Sequence, residues 1–160
     1  MIFVALGTQD FHFNRLLEAI DTLLVDDTIK EEVFAQTGYS TYNPKHYQCK
    51  RFMDHEEFYK YLDKCSLLIT HAGTGTIISA LKKKKKVIVM PRLKKFHEHV
   101  DDHQLEIASM FSEKGLICSA KDKIELKKII LEIDKFQPTE FVSGKNDIVD
   151  IINGFIDLNF

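Results

Sequence analysis

Short apolar runs alternate with amphipathic segments along this chain. The runs predict six strands, at Ile2 to Leu6, Glu31 to Gln36, Gln48 to Phe52, Ser66 to Thr70, Val87 to Met90 and Leu116 to Cys118. Helical spacing predicts helices at Phe13 to Leu24, Asp54 to about Lys64, Ile77 to Lys83, Val100 to Lys114, Ile124 to Phe136 and Val149 to Leu158. This alternation predicts an α/β fold, a Rossmann-like parallel sheet with helices on both faces. Such sheets bind ligands at the carboxyl ends of their strands, here near the first and fourth.

Composition narrows the class of protein. The 160 residues include 44% hydrophobic and 29% charged residues, which indicates one folded domain over residues 1–160. The net charge of 22 − 24 = −2 argues against a nucleic-acid partner. Three scattered cysteines, Cys49, Cys65 and Cys118, favour a reducing compartment over a disulfide framework. The chain carries no recognisable signal peptide and no apolar stretch of the roughly 20 residues that a membrane helix needs. We therefore expect a cytoplasmic protein.

Two glycine-containing turns have the composition of phosphate-binding loops. Gly7-Thr8-Gln9-Asp10 follows the first predicted strand, and His71-Ala72-Gly73-Thr74-Gly75-Thr76 follows the fourth. Glycine permits close backbone approach, and the next helix offers free N–H groups. Neither turn matches a dinucleotide or P-loop motif. Either turn alone is equally compatible with an ordinary tight connection. As neighbours at the switch point, the two favour a nucleotide diphosphate site.

Two further segments carry candidate ligand contacts. Phe52 and Met53 follow the third predicted strand and are placed to sandwich a base, although this segment taken alone favours a core position for Phe52 and only an N-cap role for Asp54. The segment from Pro91 to Gln104 contains Arg92, which we expect to face the diphosphate, and donors suited to sugar hydroxyls.

The same segment suggests an alternative, a metal-dependent hydrolase using His97, His99 and His103. Its string HEHVDDH nearly matches a metallo-hydrolase motif, but one extra residue separates Asp101 from His103. No histidine follows His103 to complete a ligand set. We therefore expect no metal.

Five consecutive lysines, Lys82 to Lys86, lie between the third predicted helix and the fifth strand. This position is at the end of the sheet opposite the glycine turns. Lysines favour a helix C-terminus, so we interpret the run as a solvated turn, with weak contact to anionic lipid as the alternative.

Three motifs, which lie within about residues 1 to 120, resemble glycosyltransferase family 28. They are FVALGTQDFHFNRLL, THAGTGTIISAL and VIVMPRLKKFHEHVDDHQLEIA. The chain looks like the C-terminal, nucleotide-sugar-binding domain of that family, and in particular like the small subunits of two-part transferases. Those include the catalytic subunit of the dolichol-pathway N-acetylglucosaminyltransferase and the bacterial exopolysaccharide subunits of PssE type, to which the likeness is strongest.

The resemblance implies the C-terminal half of a GT-B fold and a set of UDP-sugar contacts. Phe52 and Met53 correspond to the pair that lies against uracil. The implied contacts of the diphosphate are Ala72, Gly73, Thr74, Gly75 and Thr76. His103 and Gln104 would contact the donor sugar, and the loop with Gly7, Thr8 and Gln9 would face the donor site and the cleft. Ser79 stands where relatives often carry an acidic residue that binds the ribose.

The resemblance also implies the reaction and its partner. A hexose would pass from a UDP-sugar to a lipid-linked saccharide in extracellular or capsular polysaccharide synthesis, with a membrane-associated subunit binding the acceptor at the inner face of the membrane. No cofactor is expected, because helix N-termini, Thr74, Thr76 and Arg92 would stabilise the leaving UDP. His71 is either a catalytic or phosphate-contacting residue or a structural one.

Other possibilities remain open at this stage. The chain could be a non-catalytic, nucleotide-binding accessory subunit. The isolated chain could self-associate, and the last 20 or so residues could form a flexible or partner-contacting tail.

Overall fold

The protein is described by a computed structural model of residues 1–142, in which one sheet is flanked by helices. The strands are β1 (Ile2–Ala5), β2 (Val33–Gln36), β3 (Gln48–Lys50), β4 (Leu67–Thr70), β5 (Lys86–Val89) and β6 (Cys118–Ser119). The α-helices are α1 (Asn14–Val25), α2 (His55–Lys64), α3 (Thr74–Lys82), α4 (His103–Glu113) and α5 (Lys123–Glu132), with 3₁₀ helices at Lys94–Phe96 and Ile133–Lys135. No helix within the described range is long and apolar enough to cross a membrane.

The sheet is doubly wound. Its strand order is β3-β2-β1-β4-β5-β6 and every pairing is parallel. Alternate residues of β1 point to opposite faces, so that Val4 packs with α1 and α5 while Phe3 packs with α2, α3 and α4. The predicted Rossmann-like architecture is confirmed. The chain reverses its winding between β1 and β4, where Ala5 pairs with Thr70.

Two helices begin three residues away from their predicted starts. α3 begins at Thr74 rather than Ile77, because Gly73 acts as its N-cap. α4 begins at His103 rather than Val100, which is 64% exposed. The Asp101 carboxylate instead accepts a hydrogen bond from the His103 backbone N–H at 3.1 Å. The last predicted helix, Val149 to Leu158, and most of the predicted tail lie outside the described residues.

The lysine run forms the connection between α3 and β5. Lys83 pairs with the Asp63 carboxylate at 2.5 Å, and the Lys85 ammonium donates to two carbonyl groups at the end of α2. The Lys86 ammonium donates to two carbonyl groups in the 3₁₀ helix after α5. These three ammonium groups bind the protein itself, which supports the turn interpretation over a lipid-binding role.

Candidate functional site

A cleft of about 420 Å³ opens at the carboxyl ends of β1 and β4, where doubly wound sheets bind ligands. It is formed by the loop after β1, the turn that leads into α3, and the segment that leads into α4. Its lining residues are Gly7, Thr8, Gln9, His71, Ala72, Gly73, Thr74, Gly75, Thr76, His99, Asp101, His103, Gln104 and Ile107. Most of the residues expected from the sequence therefore meet in one place.

The N-terminus of α3 presents unpaired backbone donors to this cleft. Gly73 offers no side-chain cap, and the first helical hydrogen bond runs from the Ile77 N–H to the Gly73 carbonyl at 3.1 Å. The N–H groups of Thr74, Gly75 and Thr76 consequently have no partner among the described residues. Together with the helix dipole and the two threonine hydroxyls, they form an anion-binding surface.

His71 is wedged between the two glycine turns and is only 6% exposed. A Cβ atom added to Gly7 would lie 2.7 Å from the ring Cε1, and one added to Gly73 would lie 2.8 Å from it. The ring Nδ1 lies 3.4 Å from the Ala5 carbonyl oxygen and 3.3 Å from the Thr70 hydroxyl, whose own proton is donated to that carbonyl. This arrangement favours a proton on Nδ1 and leaves Nε2 as an acceptor.

The electrostatic environment keeps this ring neutral. Burial, with a smaller contribution from the positive charge of Arg92, lowers the pKa of His71 to about 4. A neutral ring whose Nε2 accepts cannot donate a hydrogen bond from that atom to a phosphate. Of the two roles that the sequence left open, the packing supports the structural one.

Arg92 does not face the cleft, contrary to the sequence-based expectation. It is 1% exposed, and its guanidinium donates to the carbonyl groups of Leu6 at 2.7 Å, Phe11 at 2.8 Å and Glu98 at 3.2 Å. The guanidinium also stacks on Phe13 at 5.3 Å. Its Nη1 and Nη2 atoms donate to backbone acceptors and so join the loop after β1 to the segment after β5, while its buried Nε has no hydrogen-bond partner among the described residues. Burial lowers its pKa to about 10, partly opposed by the Glu98 carboxylate, and the group stays charged.

A buried ion pair that the sequence did not predict fixes the segment after β5 to α1. The Glu98 carboxylate, 1% exposed, accepts from the Arg15 Nε at 3.0 Å and Nη2 at 2.9 Å, and from the Leu93 N–H at 3.0 Å. The Arg15 guanidinium lies 5.0 Å from the Phe96 ring centroid. No local signal could identify this pair, because its partners are 83 positions apart.

Gln104 connects the ends of two strands. Its Oε1 accepts from the Ala72 N–H at 3.3 Å, just after β4, and from the Arg92 N–H at 3.0 Å, just after β5. Only its Nε2 donors then remain for a ligand in the cleft. Gln104 therefore lies in the cleft where a contact with the donor sugar was expected, and that contact stays a prediction.

A chain of polar contacts extends across the mouth of the cleft. The His99 Nδ1 lies 2.9 Å from the Asp101 Oδ1, and the His103 Nε2 lies 3.6 Å from the Asp101 Oδ2. The His99 ring packs against Phe11 with 5.5 Å between centroids. The sequence had suggested His99 as a metal ligand or as one of several donors to sugar hydroxyls, and Asp101 only as part of the metal motif.

Besides Arg92, three further expected contacts lie outside the cleft lining. Phe52, 37% exposed, stands edge-on to Tyr39 at 5.2 Å, because β3 ends at Lys50 and the chain leaves the sheet there. Met53 packs against the cluster formed by α2, α3 and α4. The Ser79 hydroxyl lies 3.0 Å from a tyrosine hydroxyl of α2. Contacts of these residues with a base or ribose stay predictions.

The described part of the chain contains no metal site of the kind that the metal-dependent hydrolase alternative requires. Within residues 1–142, no group of three or more His, Cys, Asp and Glu side chains is arranged to hold a metal ion. His97 is exposed and adopts a left-handed conformation, with φ of 56°, at the end of the first 3₁₀ helix.

The sequence matches a family of known proteins. Residues 1–153 match the glycosyltransferase family 28 C-terminal domain. The chain is 35% identical over 100 residues to the UDP-N-acetylglucosamine transferase subunit ALG13 of Candida albicans. That alignment covers 62% of this chain and 31% of the relative, so the chain spans about a third of the length of this curated relative.

Solved structures share the fold. The solution structure of ALG13 has a TM-score of 0.62 at 18% identity, over 94% of this chain and 93% of that one. The glycosyltransferase SnogD from Streptomyces nogalater has a TM-score of 0.56 at 16% identity, over 98% of this chain but 39% of that one. The expected fold, that of the C-terminal half of a GT-B enzyme, is confirmed. Since the family match runs over nearly the whole sequence, this chain belongs to the glycosyltransferase family 28 C-terminal domain family.

Proposed function

We propose that this chain is the donor-binding subunit of a glycosyltransferase, and that it binds the diphosphate of a UDP-sugar at the N-terminus of α3. The observation that carries the proposal is the set of unpaired N–H groups of Thr74, Gly75 and Thr76 at the cleft. A Cβ atom on Gly75 would meet nothing within 4 Å, so a ligand can approach the backbone there. Phosphate groups are among the anions that such a helix start binds.

The donor is proposed to be UDP-N-acetylglucosamine. The Candida albicans relative is named as a UDP-N-acetylglucosamine transferase subunit, which supports this sugar. The role in extracellular polysaccharide synthesis, implied by the likeness to PssE-type subunits, stays a prediction. Comparing the affinity for UDP-glucose with that for UDP-N-acetylglucosamine would test which sugar the site prefers.

The acceptor is proposed to be bound by a second, membrane-associated subunit. The word subunit in the name of the relative supports a two-part enzyme, and the fold corresponds to only 39% of the glycosyltransferase SnogD. The partner would present a lipid-linked saccharide to the cleft at the cytoplasmic face of a membrane.

The geometry supports stabilisation of the leaving group by this chain. An acceptor hydroxyl attacks C1 of the sugar and gives its proton to a base on the partner subunit or to solvent, the bond from C1 to the β-phosphate oxygen breaks, and UDP leaves with one additional negative charge. The free N–H groups of α3 and the hydroxyls of Thr74 and Thr76 line the cleft where that charge would develop. These groups are fixed before the reaction, so they need little reorganisation during it.

Titration calorimetry with a substitution at Gly75 tests the proposal. The Cβ atom of a leucine at this position would meet no protein atom within 4 Å, and leucine is a better helix former than glycine by roughly 0.5–1 kcal/mol. We expect Gly75→Leu to weaken UDP and UDP-N-acetylglucosamine at least tenfold in the presence of EDTA, while the free energy of unfolding stays equal or rises. Thr22→Leu, on an exposed position of α1, serves as the matched control. Equal affinity for ADP and UDP, or full affinity in Gly75→Leu, would refute the proposal.

A further inference from the structure

We propose that Asp101 distinguishes the donor from the product. Its carboxylate accepts hydrogen bonds from hydroxyl groups of the donor sugar and repels the terminal phosphate of free UDP, so that the site prefers a UDP-sugar to UDP. The inference deepens the proposed function and rests on it, because it assigns the part of the same cleft that faces the sugar.

Asp101 is the one acidic residue among the described residues that line the cleft. Within residues 1–142 no lysine or arginine lines it either, so neither side chain bridges the carboxylate to a phosphate. Asp101 belongs to the segment that leads into α4, whereas the unpaired N–H groups proposed to bind the diphosphate belong to the start of α3. The cleft therefore offers hydrogen-bond donors on one wall and a carboxylate on another.

The Asp101 carboxylate is ionised and is held in place by its own segment. Its Oδ1 accepts from the His103 backbone N–H at 3.1 Å and lies 2.9 Å from the His99 Nδ1. Burial raises the pKa of Asp101, but the hydrogen bond from the His103 N–H and the two neighbouring histidines together lower the pKa below its usual value. Because an ionised carboxylate can only accept, a neutral His99 can donate to it through Nδ1. The arrangement requires no protonated histidine.

The second oxygen of this carboxylate is available to a ligand. The described residues donate no hydrogen bond to the Asp101 Oδ2, and the His103 Nε2, at 3.6 Å, lies beyond hydrogen-bond distance. The Asp101 side chain is 36% exposed and lines the cleft. A ligand in the cleft can therefore donate a hydrogen bond to this oxygen.

Gln104 supplies the complementary donor three positions along the chain. Its Oε1 accepts from the Ala72 and Arg92 N–H groups, which leaves its Nε2 donors for the cleft. Hydroxyl groups both donate and accept, so the hydroxyls of a sugar can satisfy Asp101 and Gln104 together. An ionised phosphate oxygen only accepts, so it can bind Gln104 but is repelled by Asp101. This difference in hydrogen-bonding capacity is the physical basis of the discrimination.

The donor and the product also differ in charge. Each phosphate of a UDP-sugar carries one negative charge. The terminal phosphate of UDP has a second ionisation with a pKa of about 6, so it carries close to two charges at neutral pH or above. The additional charge appears on the β-phosphate, at the position that the sugar has left. Its repulsion by Asp101 favours release of UDP after transfer.

Titration calorimetry of the full chain at pH 7.5 with EDTA compares UDP-N-acetylglucosamine with UDP. We expect the wild type to prefer the sugar nucleotide. Asp101→Asn keeps the size of the side chain and removes its charge. It should weaken UDP-N-acetylglucosamine about tenfold or more, through loss of a hydrogen bond to a charged group. It should tighten UDP about threefold or more, because the repulsion disappears. Asp101→Ser, which keeps an acceptor for the His103 N–H, should move the two affinities in the same opposite directions.

Asp102→Asn is the matched control. This neighbouring carboxylate lines a different groove and accepts from the Lys94 N–H at 2.8 Å, so its replacement should leave both affinities unchanged. A parallel loss of both ligands in the two Asp101 variants would show that the residue only holds its segment in place. An unchanged ratio of the two affinities would show that it faces neither ligand.

Either of those results would overturn the inference and leave the proposed function intact. The titrations are repeated with magnesium chloride in place of EDTA. UDP binding that requires magnesium and is lost in Asp101→Asn would identify the carboxylate as a metal ligand and would also overturn the inference. A wild-type chain that binds neither nucleotide under either condition would overturn the inference and the proposed function together.

Discussion

Gly73 is required by the neighbouring His71 ring and not by its own backbone conformation. Its φ of −75° and ψ of 110° suit any residue, but a methyl group there would lie 2.8 Å from the His71 Cε1 and closer still to Nε2. The ring has little room to move, since Gly7 packs on its other side. We expect Gly73→Ala to destabilise the fold by about 1–3 kcal/mol through overpacking, with up to about 1 kcal/mol more from the poorer N-cap.

A double-mutant cycle separates these two contributions. In a His71→Ala background the overpacking disappears, so the second substitution should cost only the capping contribution of less than about 1 kcal/mol. The interaction energy is then about 1–3 kcal/mol, measured by urea unfolding followed by far-UV circular dichroism. Gly75→Ala is the control in the same turn; its methyl group meets nothing within 4 Å, and it should stabilise by roughly 0.5–1 kcal/mol. An interaction energy below about 0.5 kcal/mol would show that the ring is not wedged by Gly73.

Three further predictions concern pH and buried polar groups. Burial lowers the pKa of His71 from 6.5 to about 4, so between these pH values the unfolded chain binds a proton that the folded chain does not. The free energy of unfolding should therefore be highest above about pH 6.5 and fall by roughly 3 kcal/mol towards pH 4. Urea unfolding of His71→Asn should lack that fall. Arg92→Lys should cost about 2–4 kcal/mol in thermal unfolding, because one ammonium group cannot reach the carbonyl groups of Leu6, Phe11 and Glu98 together; an unchanged melting temperature would contradict this. Asp21 accepts from the Tyr42 hydroxyl at 2.6 Å and from two backbone N–H groups, so Asp21→Asn should cost about 1–3 kcal/mol and speed hydrogen exchange selectively in residues 39–47.

The sheet and the location of the cleft could be predicted from sequence because their signals are local. A run such as Leu67–Thr70 is apolar, short and followed by a glycine turn, and these properties depend on neighbouring residues only. The alternation of strands with helices then restricts the topology to a parallel, doubly wound sheet. The positions of the glycine turns in that sheet place both at the switch point. The element boundaries were less accurate, since α3 begins inside the turn where its N-cap lies.

The direction of polar side chains was decided by the tertiary structure. Arg92 is a cation in a segment rich in donors, and sequence reasoning placed it on the diphosphate. In the fold, carbonyl groups from the loop after β1 surround its guanidinium, and these come from residues more than 80 positions away. The Arg15–Glu98 pair, likewise, could not be found from spacing.

Sequence alone determined which groups are available: glycine turns, a helix start with threonines, and a segment of histidines and aspartates. Tertiary structure decided which of those groups face the cleft and which are consumed inside the protein. Arg92 became a buried part of the scaffold, and His71 became a buried wedge in the wall of the cleft, whereas His99 and Asp101 line the cleft and are less buried. The physical reason is that a buried polar group must be paired, and its partners are supplied by segments that are brought together only when the chain folds.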